Sequence, residues 1–283
     1  MDSAMSERSE RIGRHGVDEC PAVSVEIRAG VAHVVMRRGE RGNAIDLAMA
    51  RGLRAAATAC RTDEVRAVVL SGEGRSFCVG GDLREFAPLQ GDALRDHLMA
   101  VTDALHGALR VFAAMDAPLV AAVRGAVAGA GVGLAAAADL TIAAADATFR
   151  LAYTGVGYSP DAGVTWSLPR LAGPKRAMDL LLTNRRISAS EAVDMGLVTR
   201  VVEPERLPDE AERVARALAG GATGAIGATR RLVAAGLSAG LDAHLDREAR
   251  SLAAAAASPE GVEGVAAFLG KRPPTFTLDG RNR

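Results

Sequence analysis

Short β-branched runs alternate with stretches whose apolar residues recur every three or four positions. Val23–Ile27 and Val31–Met36 flank Ala29-Gly30 and read as a hairpin. From Asn43 to Cys60 the residues Ile45, Met49, Leu53, Ala56 and Cys60 share one face, which predicts an amphipathic helix. Ala67–Leu70 is wholly apolar, and a strand–helix–strand succession of this kind implies a parallel sheet buried on both faces. Asp92–Phe112 carries the longest stripe (Leu94, Leu98, Val101, Leu105, Leu109, Phe112), and Pro118 closes the segment after it. Leu119–Val123 and Asp139–Ala143 are further buried strands. Between them the glycine-rich stretch Gly125–Gly133 opens an alanine-rich helix to Ala138.

Beyond Pro174 the pattern is mostly helical: Lys175–Leu182, Ser188–Met195, Pro208–Ala219, Thr223–Ala239 and Leu241–Ala257, with one strand at Val198–Val202. The expected organisation is a disordered tail over 1–20, an α/β core over 21–203 and a helical region over 204–283.

Composition narrows the function classes. Lys+Arg and Asp+Glu both number 34, so the chain lacks the basic excess of a nucleic-acid binder. At 49% hydrophobic it is not a disordered chain, and at 3% aromatic its core must be built from alanine and small aliphatics. Cys20, Cys60 and Cys78 match no disulfide or zinc spacing, which fits a reducing cytoplasm. No secretory leader, membrane span, membrane partner or metal site is expected.

Two loops carry candidate chemistry, Ser76–Leu83 and Gly125–Gly133. Glycines between a strand and a helix let backbone N–H groups approach a ligand. Either loop alone fits phosphate binding or plain tight packing equally well. Neither a P-loop lysine nor the acidic residue of a dinucleotide site accompanies them.

Taken with Asn43-Ala44, Ala117-Pro118, Ala121–Val123, Gly163, Trp166, Leu168–Arg170, Gly173, Ser188–Ala192, Gly196–Val198 and Phe268–Arg272, the two loops make the sequence resemble the crotonase (enoyl-CoA hydratase/isomerase) superfamily from Val23 to Phe276. The resemblance implies an α/β spiral of ββα units with two sheets, and C-terminal helices that assemble a homotrimer or a hexamer of two trimers. It implies an acyl-CoA thioester substrate, with coenzyme A entering only as part of that substrate and no separate cofactor. It also implies an oxyanion hole, formed here by the N–H groups of Gly81 and Ala130. The family most often has glycine at the second position.

The resemblance further places the CoA ester along Ala44, Val79, Gly80, Asp82, Leu83 and Gly129. Glu40 stands where relatives carry a basic residue, so Arg41 or Arg38 is expected to substitute. Phe268 and Lys271 match residues that reach the adenine and phosphate end from a neighbouring subunit; on local grounds they equally read as helix packing and solvated surface.

The two hydratase glutamates match Gly133 and Tyr153 here, so ordinary two-glutamate chemistry is not expected. Asp161 matches the catalytic aspartate of several isomerases and the nucleophile of aromatic dehalogenases. Locally, Ser159 and Pro160 read as a helix start, which would put Asp161 in the first turn. His106 matches the dehalogenase general base, although such a residue also reads as a boundary histidine. Tyr153 matches a pocket-shaping aromatic, or is a half-buried wall whose hydroxyl needs a partner. Cys78, Asp82 and Asp139 read as packing or turn residues, and His15, His33, His97 and His244 as isolated.

Pro160–Arg170 and Gly261–Phe276 look most like the isomerases that act on ring-1,2-epoxyphenylacetyl-CoA. The expected function is therefore an acyl-CoA isomerase with one aspartate as proton shuttle. The alternatives are a hydratase with atypical residues, an aryl-CoA dehalogenase or hydrolase using Asp161 and His106, and a non-catalytic CoA-binding subunit.

Overall fold

The computed structural model describes residues 22–276; the tail expected over 1–20, with His15 and Cys20, lies outside them. The predicted hairpin is β1 (Val23–Arg28) and β2 (Val31–Met36). It is followed by α1 (Leu47–Ala59), β3 (Ala67–Gly72), α2 (Leu83–Phe86), α3 (Gly91–Ala114), β4 (Leu119–Val123), β5 (Ala126–Ala128), α4 (Ala130–Ala137), β6 (Leu140–Ala144) and β7 (Thr148–Arg150). Then come α5 (Val164–Ala172), α6 (Pro174–Thr183), β8 (Ile187–Ser188), α7 (Ala189–Asp194), β9 (Arg200–Val202), α8 (Leu207–Ala219), α9 (Thr223–Gly236), α10 (Leu241–Ala256) and α11 (Pro259–Leu269).

The main sheet has six strands in the order β1-β2-β3-β4-β6-β9. Only the β1–β2 pair is antiparallel. Alternate side chains explain why its strands read as continuous apolar runs. Ala32, Val34, Val68, Leu70, Ala121 and Val123 pack with Met49 and Leu53 of α1 and Leu105 and Phe112 of α3. Their neighbours Val31, Ala67, Val69, Val120, Ala122 and Ile142 pack under Leu207, Ala211, Val214 and Ala215 of α8. Burying Leu207 or Val214 is worth roughly 1.5–3 kcal/mol each, which fastens α8 across the sheet. Buried Arg66 secures the end of α8, donating from Nε to Ala219 O and from Nη2 to Gly221 O, both at 2.6 Å.

The second sheet is β5-β7-β8. Its strands are two or three residues long and carry no periodicity of their own; β5 falls inside what read as one continuous loop. Several boundaries also move. α1 starts at Leu47 rather than Asn43, because Asp46 caps it by accepting the Met49 N–H at 2.7 Å. β6 starts at Leu140, since Asp139 turns back to accept the Leu119 N–H at 2.7 Å. α9 ends at Gly236, and α11 follows the helices predicted from spacing.

Candidate active site

The first glycine loop is held on both flanks by backbone hydrogen bonds. Val79 N–H donates to Gly42 O (3.0 Å), Phe77 N–H to Arg124 O (2.9 Å), and Cys78 O accepts from Ala128 N–H (2.8 Å). Asn43 is the keystone. It is fully buried, its Nδ2 donates to the carbonyls of Glu73, Ser76 and Phe77 at 2.9–3.1 Å, and its Oδ1 accepts from Arg38 N–H at 2.9 Å. Its φ of 54° lies in the left-handed region, which asparagine tolerates. Asn43 was legible only as a family marker. The signal for its role was the side chain itself, which combines donors, an acceptor and tolerance of that backbone.

The two loops touch backbone to backbone. A Cβ on Gly80 (φ 92°) would lie 3.0 Å from Ala128 O and 3.3 Å from Gly129 Cα, so only glycine fits. Gly129 (φ 51°, ψ −123°) caps α4 and makes Ala130 its first residue. Ile45 pairs with Gly80 O (2.7 Å) and with Asp82 N–H (2.9 Å), bypassing Gly81. Among the described residues, no protein acceptor takes the N–H of Gly81 or of Ala130. Two free amide donors thus sit on touching loops, one of them at the positive end of a helix.

An acid and its supports lie beside the loops. Tyr153 OH donates to Asp161 Oδ1 at 2.5 Å. The Tyr153 ring also lies beside the loops, with Cζ 3.9 Å from where a Gly129 Cβ would be. Burial, then the neighbouring Asp161 charge, push the Tyr153 hydroxyl far above the ordinary phenol range, so it remains a donor. The charge of Asp161 also reaches Cys78 in the first loop. His106 on α3 accepts the Ala162 N–H at Nε2 (3.1 Å).

The expected helix start at Ser159-Pro160 is not formed. α5 begins at Val164 behind Gly163 (φ 76°), and Asp161 precedes it in a turn closed by Val164 N–H to Asp161 O at 3.2 Å. Ala162, buried with φ 51°, forces this turn; a residue without glycine's freedom held there costs of order 1–2 kcal/mol. Gly133, the place of a hydratase glutamate, is closed by the same turn. A Cβ there would lie 2.5 Å from Ala162 Cβ and 2.6 Å from its carbonyl oxygen.

The remaining expected residues fall into three groups. Ala44 and Asp82 are buried, and Val79, Leu83 and Arg41 line the exposed rim of the first loop. Asp82 caps α2 by accepting the Arg84 N–H (3.0 Å), so it builds the loop rather than offering a free carboxylate. Arg38 is consumed by an ion pair with Asp46, whereas Arg41 stays exposed, 4.0 Å from Asp82. Phe268 on α11 is 82% exposed and Lys271 beyond it is also exposed; the single chain brings neither into a formed pocket. Burial pushes the Cys78 thiol up to about 12, so it packs as a neutral side chain. His33, His97 and His244 each lie near a glutamate, at 3.4, 3.2 and 3.4 Å, and the His97 ring also meets edge-on the Phe86 ring that packs against Gly81.

The geometry can be set beside known proteins. The enoyl-CoA hydratase/isomerase family model matches residues 26–279. A probable enoyl-CoA hydratase of Rhodobacter capsulatus is 42% identical over 90% of this chain and 97% of its own. The 1,2-epoxyphenylacetyl-CoA isomerase of Escherichia coli is 36% identical over 89% of this chain and 96% of its own. A crystal structure of an enoyl-CoA hydratase/isomerase from Mycobacterium abscessus superposes with a TM-score of 0.84 at 39% identity, covering 90% of this chain and 99% of that one. The two-sheet α/β fold with its C-terminal helices is therefore that of a crotonase, and the chain belongs to the enoyl-CoA hydratase/isomerase family.

Proposed function

We propose that this chain is an acyl-CoA isomerase in which the N–H groups of Gly81 and Ala130 hold the thioester oxygen and Asp161 shuttles the proton. The observation that carries the reading is a carboxylate held by Tyr153 beside two touching loops whose Gly81 and Ala130 amides have no acceptor among the described residues, while position 133 has no room for a second acid. The Asp161 carboxylate takes a proton from a carbon next to, or conjugated with, the thioester. The electron pair moves onto the thioester oxygen, where the two N–H groups meet the growing charge. The Asp161 carboxylic acid then returns the proton to a different carbon, so the double bond moves and nothing is added. One oxyanion donor is worth about 2.7–4 kcal/mol in comparable sites, and a positioned base about 10²–10⁴ in rate.

The engaged Nε2 of His106 argues against a dehalogenase mechanism, which needs that lone pair to accept a proton from water. The likeness to an epoxyphenylacetyl-CoA isomerase supports aryl- and enoyl-CoA esters as the substrate class. Arg41 is the rim cation we assign to the CoA phosphates. The exposed Val233, Leu237, Leu241, Leu245, Val265 and Phe268 of α9–α11 support assembly as a homotrimer or dimer of trimers, which light scattering would measure.

The deciding experiment is proton NMR of enoyl- and phenylacetyl-type CoA esters in D2O, with wild type and Asp161→Asn. Double-bond migration or carbon-bound exchange in the wild type alone is expected. Equal turnover by both proteins, or net addition of water by the wild type, would overturn the reading.

A further inference from the structure

We propose that His106 is a positioning residue for Asp161, acting through the backbone of Ala162 rather than on the substrate. This rests on the reading of Asp161 as the base. The contact spans 56 residues, joining α3 to the turn that carries the carboxylate. Its direction is informative. Nε2 accepts from an amide, so the ring is the neutral tautomer with its proton on Nδ1, and the lone pair a general base would use is already occupied.

The residue held is the one that needs holding. Ala162 is an alanine in left-handed backbone, buried, and wedged against Gly133 of α4. Its neighbour on one side is Asp161, and on the other Gly163, which is exposed, also has positive φ and has open space around its Cα. Without the imidazole the turn has an easy route back to ordinary backbone, and the Asp161 carboxylate would swing with it. Tyr153 fixes one carboxylate oxygen from the side chain, and His106 fixes the backbone beneath it. Two independent restraints on one carboxylate are what a proton shuttle between two carbons requires, because its reach must be correct at both ends of the transfer.

His106→Leu and His106→Gln test this beside Asp161→Asn. Glutamine is long enough to present its amide oxygen near the Nε2 position, yet it cannot carry protons. With loss of aim costing on the order of 10²-fold, His106→Leu is expected to lower kcat by about that factor, with the Kd for a non-reactive CoA thioether unchanged. His106→Gln is expected to recover most of the rate. Nitrogen-15 NMR of the wild type should show an unprotonated Nε2 and a protonated Nδ1, a readout that stands even if the leucine variant does not fold.

A glutamine variant as inactive as the leucine variant, though folded, would make His106 a proton carrier and overturn the proposal. So would full activity in His106→Leu, or a protonated Nε2. Full activity in Asp161→Asn would refute the base itself and the consequence drawn here with it. Loss there together with full activity in His106→Leu would refute the clamp alone.

Discussion

Replacing Ala130 by proline removes a single N–H and adds two ring carbons at a buried position. Ala130 is the first residue of α4, the one helical position where proline's fixed φ and missing donor are tolerated. Among the described residues its N–H has no protein acceptor, so no hydrogen bond among them is lost. Gly129 before it has ψ −123°, outside the helical region that a following proline disfavours. Only the overpacking of a buried position, about 1–3 kcal/mol, should lower stability, while one of the two oxyanion donors disappears and a ring methylene stands in its place. Removal of such a donor costs roughly 10²–10³ in kcat, or about 2.7–4 kcal/mol; the intruding methylene should place this variant at the upper end. The assay is initial-rate isomerisation or exchange followed by NMR, with thermal melting as the control for folding. Ala130→Gly keeps the donor at a helix-propensity cost of about 1 kcal/mol and should retain most of the rate. A proline variant that stays folded at the assay temperature and keeps more than about a tenth of kcat would refute the assignment, since a lost donor cannot cost so little.

Three other perturbations follow from the same geometry. Gly133→Glu should not create a hydratase: its Cβ would collide with Ala162, so overpacking of about 1–3 kcal/mol and a lower Tm are expected, and efficient water addition by a stable variant would contradict this. Asn43→Ala strands three carbonyls and the Arg38 N–H and leaves alanine in left-handed backbone; a loss of about 3 kcal/mol by urea titration is expected, with kcat falling as the first loop loosens. Burial holds the Cys60 and Cys78 thiols at about 12 against an ordinary 9.0, so iodoacetamide at neutral pH should leave both unlabelled until the protein is denatured. The fold favours their protonated form; their contribution to stability is therefore complete below pH 9 and is lost as pH rises from 9 to 12, which urea titrations across that range would detect.

Much of the scaffold could be read along the chain because its determinants are local. The apolar stripe from Leu94 to Phe112 became α3, and the apolar runs of β2, β3, β4 and β6 became one sheet buried on both faces. The family motifs, also contiguous, single out Gly81 and Ala130 as the expected pair of donors. The two- and three-residue strands of the second sheet had no such signature, because a strand that short is specified by its partner and not by its own period.

Local logic failed where it was applied to Asp161. Ser159-Pro160 is a good helix start in isolation, yet left-handed Ala162 and Gly163 postpone the helix to Val164. The conformation of Ala162 is unfavourable by itself and is stabilised from outside, by His106 on one side and Gly133 on the other. The residue types of the site and their family positions were thus set by the sequence. Which carboxylate the Tyr153 hydroxyl holds, which described amides find no partner and which imidazole lone pair is already used were decided only by the tertiary structure, since each depends on how separate segments of the chain meet.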